Sequence, residues 1–187
     1  MSHGVCPWWL GYLLASPIRR FLQDPEEILR PFVTSGMRTL DIGCGMGFFT
    51  LPLAALVGPS GSVTAVDLQE KMIRGLEKRA EKAGLAGRID ARTCRQDSLG
   101  LDDISASIDF ALAFALAHEV PDRERLFAEI FAALKQGGKL LLAEPSGHVS
   151  KTAFETTVAV ARQTGFEEVA GLAIRRSYAV LLARTIA

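Results

Sequence analysis

The amino-acid sequence predicts an α/β fold with a doubly wound, mostly parallel sheet of seven strands. From Asp24 onward, stretches with strand character alternate with amphipathic helical stretches, an order typical of parallel sheets covered on both faces. Strands such as FALAFAL and KLLLA lack polar alternation, as expected when both faces of a strand are buried. The 187 residues, of which 49% are hydrophobic and 22% charged, suit a single domain with a large core.

The predicted elements follow one another without an internal repeat or a linker. A helix begins after the N-cap residue Asp24, with Pro25 at its first position. The first five strands are predicted in MRTLDIG, GSVTAVD, IDARTCRQD, SIDFALAFAL and GKLLLAEP. Helices are predicted between them in FFTLPLAALVG, QEKMIRGLEKRAEKAG and DRERLFAEIFAALKQGG, and a further helix from Ser150 to Gly165. The last two strands are predicted in FEEVAGLAIRRSYAVLLART, joined by a turn near Arg175 and Arg176.

Composition restricts the partners and the location that we expect. Lys and Arg together number 21, as do Asp and Glu, so the formal net charge is zero at pH 7. Proteins that grip a phosphate backbone are usually basic, and nucleic acid is therefore not expected as a partner. No apolar stretch is long enough to cross a bilayer, and the basic pair Arg19-Arg20 follows the N-terminal apolar stretch, the reverse of a secretory signal. Three scattered cysteines fit a reducing compartment, and we expect a cytoplasmic protein.

The stretch LDIGCGMGFFT carries the clearest functional signal. Gly43, Gly45 and Gly47 follow a predicted strand, and the backbone can approach a ligand there because no Cβ stands in the way. A dinucleotide-binding turn needs G-x-G-x-x-G, and Phe48 stands where its third glycine would be. A P-loop is excluded because no G-K-[ST] follows. The pattern therefore argues against a turn that binds a pyrophosphate.

LDIGCGMG resembles the first motif of the class I S-adenosylmethionine-dependent methyltransferases, in particular the small, single-domain, type 11-like members. Three further segments occur in that family's order: VTAVD, CRQDSL and LKQGGKLLLAEP. The resemblance covers roughly Asp24 to the C-terminus and implies a Rossmann-like methyltransferase fold, whose last strand lies antiparallel beside the fifth. It implies two parts: an N-terminal cap or lid of residues 1–23 and an S-adenosylmethionine-binding domain of residues 24–187.

The resemblance also implies the cofactor and its contacts. S-adenosylmethionine would be the methyl donor and S-adenosylhomocysteine the product. Asp41 would meet the cationic amino group of the ligand, Asp67 would accept hydrogen bonds from both ribose hydroxyls, and Asp97 would accept from the adenine amino group. The whole set of expected cofactor-binding residues is Asp41, Gly43, Gly45, Gly47, Phe48, Asp67, Leu68, Asp97 and Ser98. No metal is expected.

Residues after the fourth and fifth predicted strands are the candidates for the chemistry. His118 or Glu119 can accept a proton from a substrate hydroxyl or amine. Each can equally be a residue at the start of a helix that hydrogen-bonds backbone without acting. Glu144 and His148 can line an acceptor pocket or simply belong to a turn. The N-terminal aromatic residues complete the pocket candidates, either as a lid or as a packed segment: Trp8, Trp9 and Tyr12.

The sequence as a whole predicts an S-adenosylmethionine-dependent methyltransferase that acts on a small molecule. We expect a small acceptor because the sequence has no room for an inserted domain of the kind that recognises protein or RNA. The acceptor atom (oxygen, nitrogen, carbon or sulfur) and the formation of a homodimer are left open. Two alternatives remain: a module or subunit that binds S-adenosylmethionine without turnover, and an NAD-dependent oxidoreductase, which Phe48 disfavours.

Overall fold

The structure is a computed structural model that describes residues 23–185. The chain divides into two compact units, the first ending at Cys94 and the second beginning at Arg95. The expected lid of residues 1–23 lies outside the described residues except for its last residue. Its three aromatic pocket candidates, Trp8, Trp9 and Tyr12, lie outside the described residues.

The described part of the first unit contains three parallel strands and three helices. The strands are β1 (Arg38–Ile42), β2 (Ser62–Asp67) and β3 (Ile89–Thr93), and they pair in the order β3-β2-β1. The helices are α1 (Pro25–Leu29), α2 (Thr50–Leu56) and α3 (Glu70–Lys82), and a short 3-10 turn, Ala86–Arg88, precedes β3.

Local sequence signals account for these boundaries. Asp24 caps α1, because its side chain accepts a hydrogen bond from the backbone N–H of Glu26 at 2.9 Å. Helix α3 ends just before Gly84, whose φ of +68° suits glycine at the end of a helix. Strand β2 is buried along its four central residues, which explains why its sequence lacks alternation.

The described part of the second unit contains four strands and two helices. They are β4 (Ile108–Phe114), α4 (Arg123–Ala133), β5 (Leu134–Pro145), α5 (Lys151–Gln163), β6 (Phe166–Ile174) and β7 (Ser177–Arg184). Strands β4 and β5 are parallel, and β7 lies antiparallel to both β5 and β6, so that the order is β4-β5-β7-β6. The 3-10 turns Asp102–Ile104 and Ala117–Glu119 flank β4.

The fold class predicted from the sequence is confirmed: the seven strands of this α/β fold are parallel to their partners except where β7, the last strand, pairs antiparallel with β5 and β6. Two strand boundaries differ clearly from the prediction. The fifth strand begins at Leu134, since Gly137, with φ of +74°, and Gly138 cannot extend α4 favourably. The third strand ends at Thr93, so Asp97 lies beyond it in a turn.

None of the helices in residues 23–185 combines the length and the apolar character needed to cross a bilayer.

Candidate active site

The glycine turn between β1 and α2 has a backbone that glycine adopts far more readily than other residues. The φ angle is +70° at Gly43, +53° at Gly45 and +84° at Gly47. The backbone N–H groups of Gly43 and Cys44 donate to the carbonyl of Val66 at 2.8 and 3.1 Å, which ties the start of the turn to β2. The alternate spacing of the glycines is therefore a requirement of the chain's conformation.

Two of these glycines face different surroundings. A Cβ built on Gly47 would lie 2.5 Å from Cδ1 of Leu76, so this glycine permits close packing against α3. A Cβ built on Gly45 would meet no atom of residues 23–185 within 4 Å. The backbone at Gly45 is consequently open to a ligand, whereas Gly47 supports the turn from within.

Helix α3 holds the far side of the turn through Met46. Gly75 leaves room for the Met46 side chain, since a Cβ there would lie 2.9 Å from its Cγ. The guanidinium of Arg79 donates from Nη1 to the Met46 carbonyl. Cys44 packs with Leu76 in a buried cluster, and burial raises the pKa of its thiol, so it acts as a packing residue.

Asp67 ends β2 and faces the glycine turn. Its Oδ2 accepts a hydrogen bond from the N–H of Gly45 at 2.9 Å, and its Oδ1 accepts one from the N–H of Gln69 at 2.8 Å. An ionised carboxylate offers about four lone-pair positions, so about two remain for other donors. Partial burial raises the pKa of Asp67, and the two backbone hydrogen bonds oppose that rise.

Asp41 lies on β1 and is only 3% exposed. The hydroxyl of Thr50, at the start of α2, donates to its Oδ2 at 2.6 Å. Burial raises the pKa of Asp41 to about 7, the Thr50 hydrogen bond opposes this, and the nearby charge of Asp67 adds to it. A carboxyl group balanced in this way near neutral pH is strongly stabilised in its ionised form by a cationic partner.

Phe48 and Leu68 lie next to these groups in sequence. The ring of Phe48 meets that of Phe49 edge-on, with centroids 5.1 Å apart, and remains half-buried. Leu68 is 39% exposed although it is apolar, so its side chain is accessible for packing. Their contacts with a cofactor stay a prediction.

Asp97 and Ser98 belong to the second unit, where both already have partners. Arg95 donates to the two carboxylate oxygens of Asp97 at 3.0 and 3.2 Å and lowers its pKa. The Ser98 hydroxyl donates to Oε2 of Glu129 at 3.2 Å, and the N–H of Leu99 donates to the same oxygen at 2.7 Å. The expected hydrogen bond from adenine to Asp97 stays a prediction, and it requires an oxygen that also serves Arg95.

His118 and Glu144 come together at the carboxyl ends of β4 and β5. Ala115 donates from its N–H to the carbonyl of Ala143 at 2.8 Å and then turns the chain with a φ of +58°. Oε1 of Glu144 accepts the backbone N–H of His118 at 3.1 Å, and Oε2 lies 2.6 Å from its Nδ1. Glu144 is 1% exposed, and its expected contact with an acceptor stays a prediction.

The other ring nitrogen of His118 faces a charged neighbourhood. Nε2 lies 3.9 Å from Oε1 of Glu119, beyond hydrogen-bond distance. Arg123 donates from Nε to the carbonyl of Ala117 at 3.0 Å and so braces the turn that carries His118. The hydrogen bond to Glu144 raises the pKa of His118 against the effect of burial; Glu119 adds to the rise and Arg123 opposes it.

His148 lies in an exposed turn after β5. Its backbone N–H donates to the carbonyl of Pro145 at 3.0 Å, as in a simple turn. No group of three or more metal-ligating side chains occurs within residues 23–185.

Sequence reasoning missed Thr50, Arg79 and the pairing of Glu144 with His118. A hydroxyl residue at the start of the helix after the glycine turn was a signal for a partner of Asp41. Gly75 and Arg79, four residues apart on one helical face, were a signal for a contact with the turn. No local signal joined Glu144 to His118.

Comparison with known proteins places the chain in a family. A family model described as a methyltransferase domain matches residues 33–175, well over half of the chain. The chain belongs to this methyltransferase family. The resemblance to class I S-adenosylmethionine-dependent methyltransferases is thereby confirmed, and with it the class of cofactor.

Several curated relatives of this methyltransferase come from bacteria. A demethylmenaquinone methyltransferase of Lactobacillus johnsonii is 34% identical over 115 residues, which are 61% of this chain and 46% of the relative. A ubiquinone/menaquinone biosynthesis C-methyltransferase UbiE of Shewanella piezotolerans is 34% identical over 145 residues, which are 77% and 51% of the two chains. This chain therefore spans about half the length of the curated relatives it matches.

Solved structures share the fold at lower identity. A SAM-dependent methyltransferase from Aquifex aeolicus superposes with a TM-score of 0.86 at 22% identity, covering 97% of this chain and 100% of its own. The [4+2]-cyclase SpnF superposes with a TM-score of 0.72 at 21% identity, covering 86% and 80%. Because one of these neighbours is named as a cyclase, the fold alone does not fix the reaction, which must be argued from the site.

Proposed function

We propose that this protein transfers a methyl group from S-adenosylmethionine to a small-molecule acceptor. The observation that carries the proposal is the junction of Asp67 with the glycine turn. A carboxylate with unused acceptor positions stands beside a backbone that is open at Gly45. Family membership, based on residues 33–175, supports the same function.

The residues of the first unit fit this cofactor. The unused acceptor positions of Asp67 match the two hydroxyls of a ribose. The open face of Gly45 suits the passage of the methionine part, which carries no phosphate and so needs no ring of N–H donors. Asp41, whose pKa lies at about 7, suits the cationic amino group, which would favour its ionised form.

When bound, S-adenosylmethionine supplies an electrophilic methyl carbon on a sulfonium centre. The protein's own residues bind the methyl donor and orient it toward the acceptor. Asp67 and the glycine turn would fix the donor, and correct alignment of two reactants is itself a large part of such catalysis. His118 and Glu119 are the candidates for accepting a proton from the acceptor.

The names of the relatives suggest which acceptors to test first. Curated relatives are named for demethylmenaquinone and for ubiquinone/menaquinone biosynthesis. We infer that an aromatic compound with ring hydroxyls, such as a demethylated quinol, is a suitable first acceptor. The wider expectations, a cytoplasmic protein that does not bind nucleic acid and is free to dimerise, stay predictions.

Calorimetry on the full chain tests the cofactor, with S-adenosylmethionine, S-adenosylhomocysteine and NAD as ligands. We expect micromolar binding of the first two and none of NAD. Asp90→Asn is the matched control for Asp67→Asn, because Asp90 is a carboxylate of the same unit that pairs with Arg92 at the surface. Absence of S-adenosylmethionine binding by the intact protein would overturn the proposal.

Turnover separates the enzyme from the alternative of a binding module. Quinols and simple phenols would be incubated with the protein and the methyl donor, and S-adenosylhomocysteine release would be followed by mass spectrometry. Methylated product supports the proposal. Tight cofactor binding without product from any acceptor of this panel would favour the module that binds without turnover.

A further inference from the structure

Both oxygens of the Glu144 carboxylate are directed at one residue, His118. Oε1 accepts the backbone N–H and Oε2 meets Nδ1 at 2.6 Å, so the main chain and the ring are fixed together. Ala115, a non-glycine residue with φ of +58°, sits three residues before His118. Such a conformation persists only where the surroundings enforce it, and it occurs often at functional sites.

The two contacts of Glu144 determine which ring nitrogen of His118 can accept a proton. An ionised carboxylate only accepts hydrogen bonds, so Nδ1 must carry the proton when it bonds to Oε2. The lone pair of the neutral ring then resides on Nε2. That atom lies 3.9 Å from Oε1 of Glu119 and has no hydrogen-bond partner within the described part of the chain.

The charges around Nε2 favour one kind of acceptor. Glu144 and Glu119 both raise the pKa of His118, and Arg123 opposes the rise. The neutral ring therefore readily takes up a proton, and an acceptor that arrives neutral with a proton to give supplies one. An acceptor that arrives already as an anion has no such proton to give.

Resting on the proposed function, we propose that Glu144 is a positioning residue that holds His118 with its proton on Nδ1 and its lone pair on Nε2. The acceptor is then a neutral hydroxyl compound of phenol or enol type, whose proton Nε2 takes.

At an oxygen acceptor, the O–H bond would break and its proton would pass to Nε2. The oxygen electron pair would form the bond to the methyl carbon, and the carbon–sulfur bond would break with its pair on sulfur. At a carbon acceptor, the electron pair of the broken O–H bond would be delocalised onto the neighbouring ring carbon, and that carbon would form the bond to the methyl carbon. The proton on Nε2 then returns to oxygen while the proton of that carbon leaves to solvent.

Nitrogen-15 NMR of the intact protein tests the positioning without any acceptor. The chain has three histidines, and His118→Gln assigns the relevant signals by their loss. We expect neutral His118 to carry its proton on Nδ1 and its pKa to lie above the ordinary value. A proton on Nε2 in the neutral ring would overturn the proposal, and this reading needs no variant of Glu144.

Two carboxyl variants of the second unit sharpen the test. Glu144→Gln should lower the pKa of His118 by about one unit or more, because the amide has one acceptor oxygen where the carboxylate has two, and it carries no charge. Asp109→Asn should leave it unchanged, since Asp109 pairs with Lys135 instead, at 2.6 Å. Equal pKa values in wild type and Glu144→Gln would contradict the positioning role.

Kinetics test the acceptor class. With a phenolic acceptor, kcat/KM should fall on the acid side as His118 is protonated, and Glu144→Gln should move that fall to lower pH and reduce the plateau by about tenfold or more. The Kd of S-adenosylmethionine should not change. Equal rates with a thioether, which has no proton to give, would overturn the acceptor class. Failure to bind S-adenosylmethionine would instead overturn the proposed function, and the NMR result on the proton of the His118 ring would still stand.

Discussion

Oδ2 of Asp67 lies 2.9 Å from the backbone nitrogen of Gly45, so the last residue of β2 is bonded to the middle glycine of the turn after β1. One carboxylate thus does two things. It holds the turn in its left-handed path, and it presents its remaining lone pairs beside the open face of that turn.

Asp67→Asn is expected to weaken S-adenosylmethionine binding roughly 30-fold, about 2 kcal/mol, because hydrogen bonds to a charged group are lost. Calorimetry measures the Kd, with Asp90→Asn as the variant that should bind normally. An unchanged Kd for Asp67→Asn would remove Asp67 from the cofactor site.

Gly45→Ala and Gly47→Ala are expected to separate binding from stability. Each places a Cβ on a left-handed residue at a cost of about 1–2 kcal/mol. Gly47→Ala adds a clash with Leu76 and should be the less stable of the two in urea unfolding. Gly45→Ala should remain better folded and yet lose about tenfold or more in affinity for S-adenosylmethionine, since its new methyl occupies the open face. The reverse ranking in either measurement would contradict the roles assigned to the two glycines.

Asp41 is expected to make stability depend on pH around neutrality. Its pKa is raised to about 7 from an ordinary 3.8, so its contribution is fully present below about pH 4 and is lost as the pH rises through 7. Asp41→Asn keeps an oxygen that can accept from Thr50 but cannot ionise. Its free energy of unfolding relative to wild type should therefore rise by about 1 kcal/mol or more between pH 5 and pH 8. Urea unfolding at several pH values checks this, and parallel curves for the two proteins would count against it.

Arg184 is expected to stabilise the end of α4. Its Nη1 donates to the carbonyls of Phe131 and Ala132 at 2.9 and 3.2 Å, and its guanidinium lies 4.8 Å from the centroid of the Phe131 ring. Arg184→Met should lower the free energy of unfolding by about 2 kcal/mol, because carbonyls at a helix end lose their donor. Lys151→Met is the control: Lys151 forms an exposed ion pair with Glu155, and its replacement should change the free energy of unfolding by less than about 0.5 kcal/mol.

The elements that sequence predicted best are those whose signal is local. A few adjacent residues are enough to predict the glycine turn, the N-cap at Asp24 and the acid that ends β2. Asp97 was placed at a strand end, but β3 stops at Thr93, and the Arg95 two residues before Asp97 pairs with it in a turn. A short stretch such as CRQD reads equally well as strand or as turn.

The pairing of Glu144 with His118 could not be predicted in the same way. It depends on the register that sets Phe114 of β4 beside Ala143 of β5, and on the left-handed turn at Ala115. Alanine gives no sign that it will adopt a positive φ, and 26 residues separate the two partners. Register and strain of this kind arise from packing between elements, which periodicity does not encode.

The placement of β7 between β5 and β6 has a consequence for the order in which the chain can fold. Strand β6 is made before β7, yet within the described second unit it pairs with β7 alone. While the polypeptide emerges from the ribosome, β6 must wait without a partner, and the edge of β5 stays bare, until β7 arrives. A chain that ended at the turn near Arg176 would therefore expose the bare edge of β5 and an unpaired β6 at the same time, and both could pair with strands of other chains.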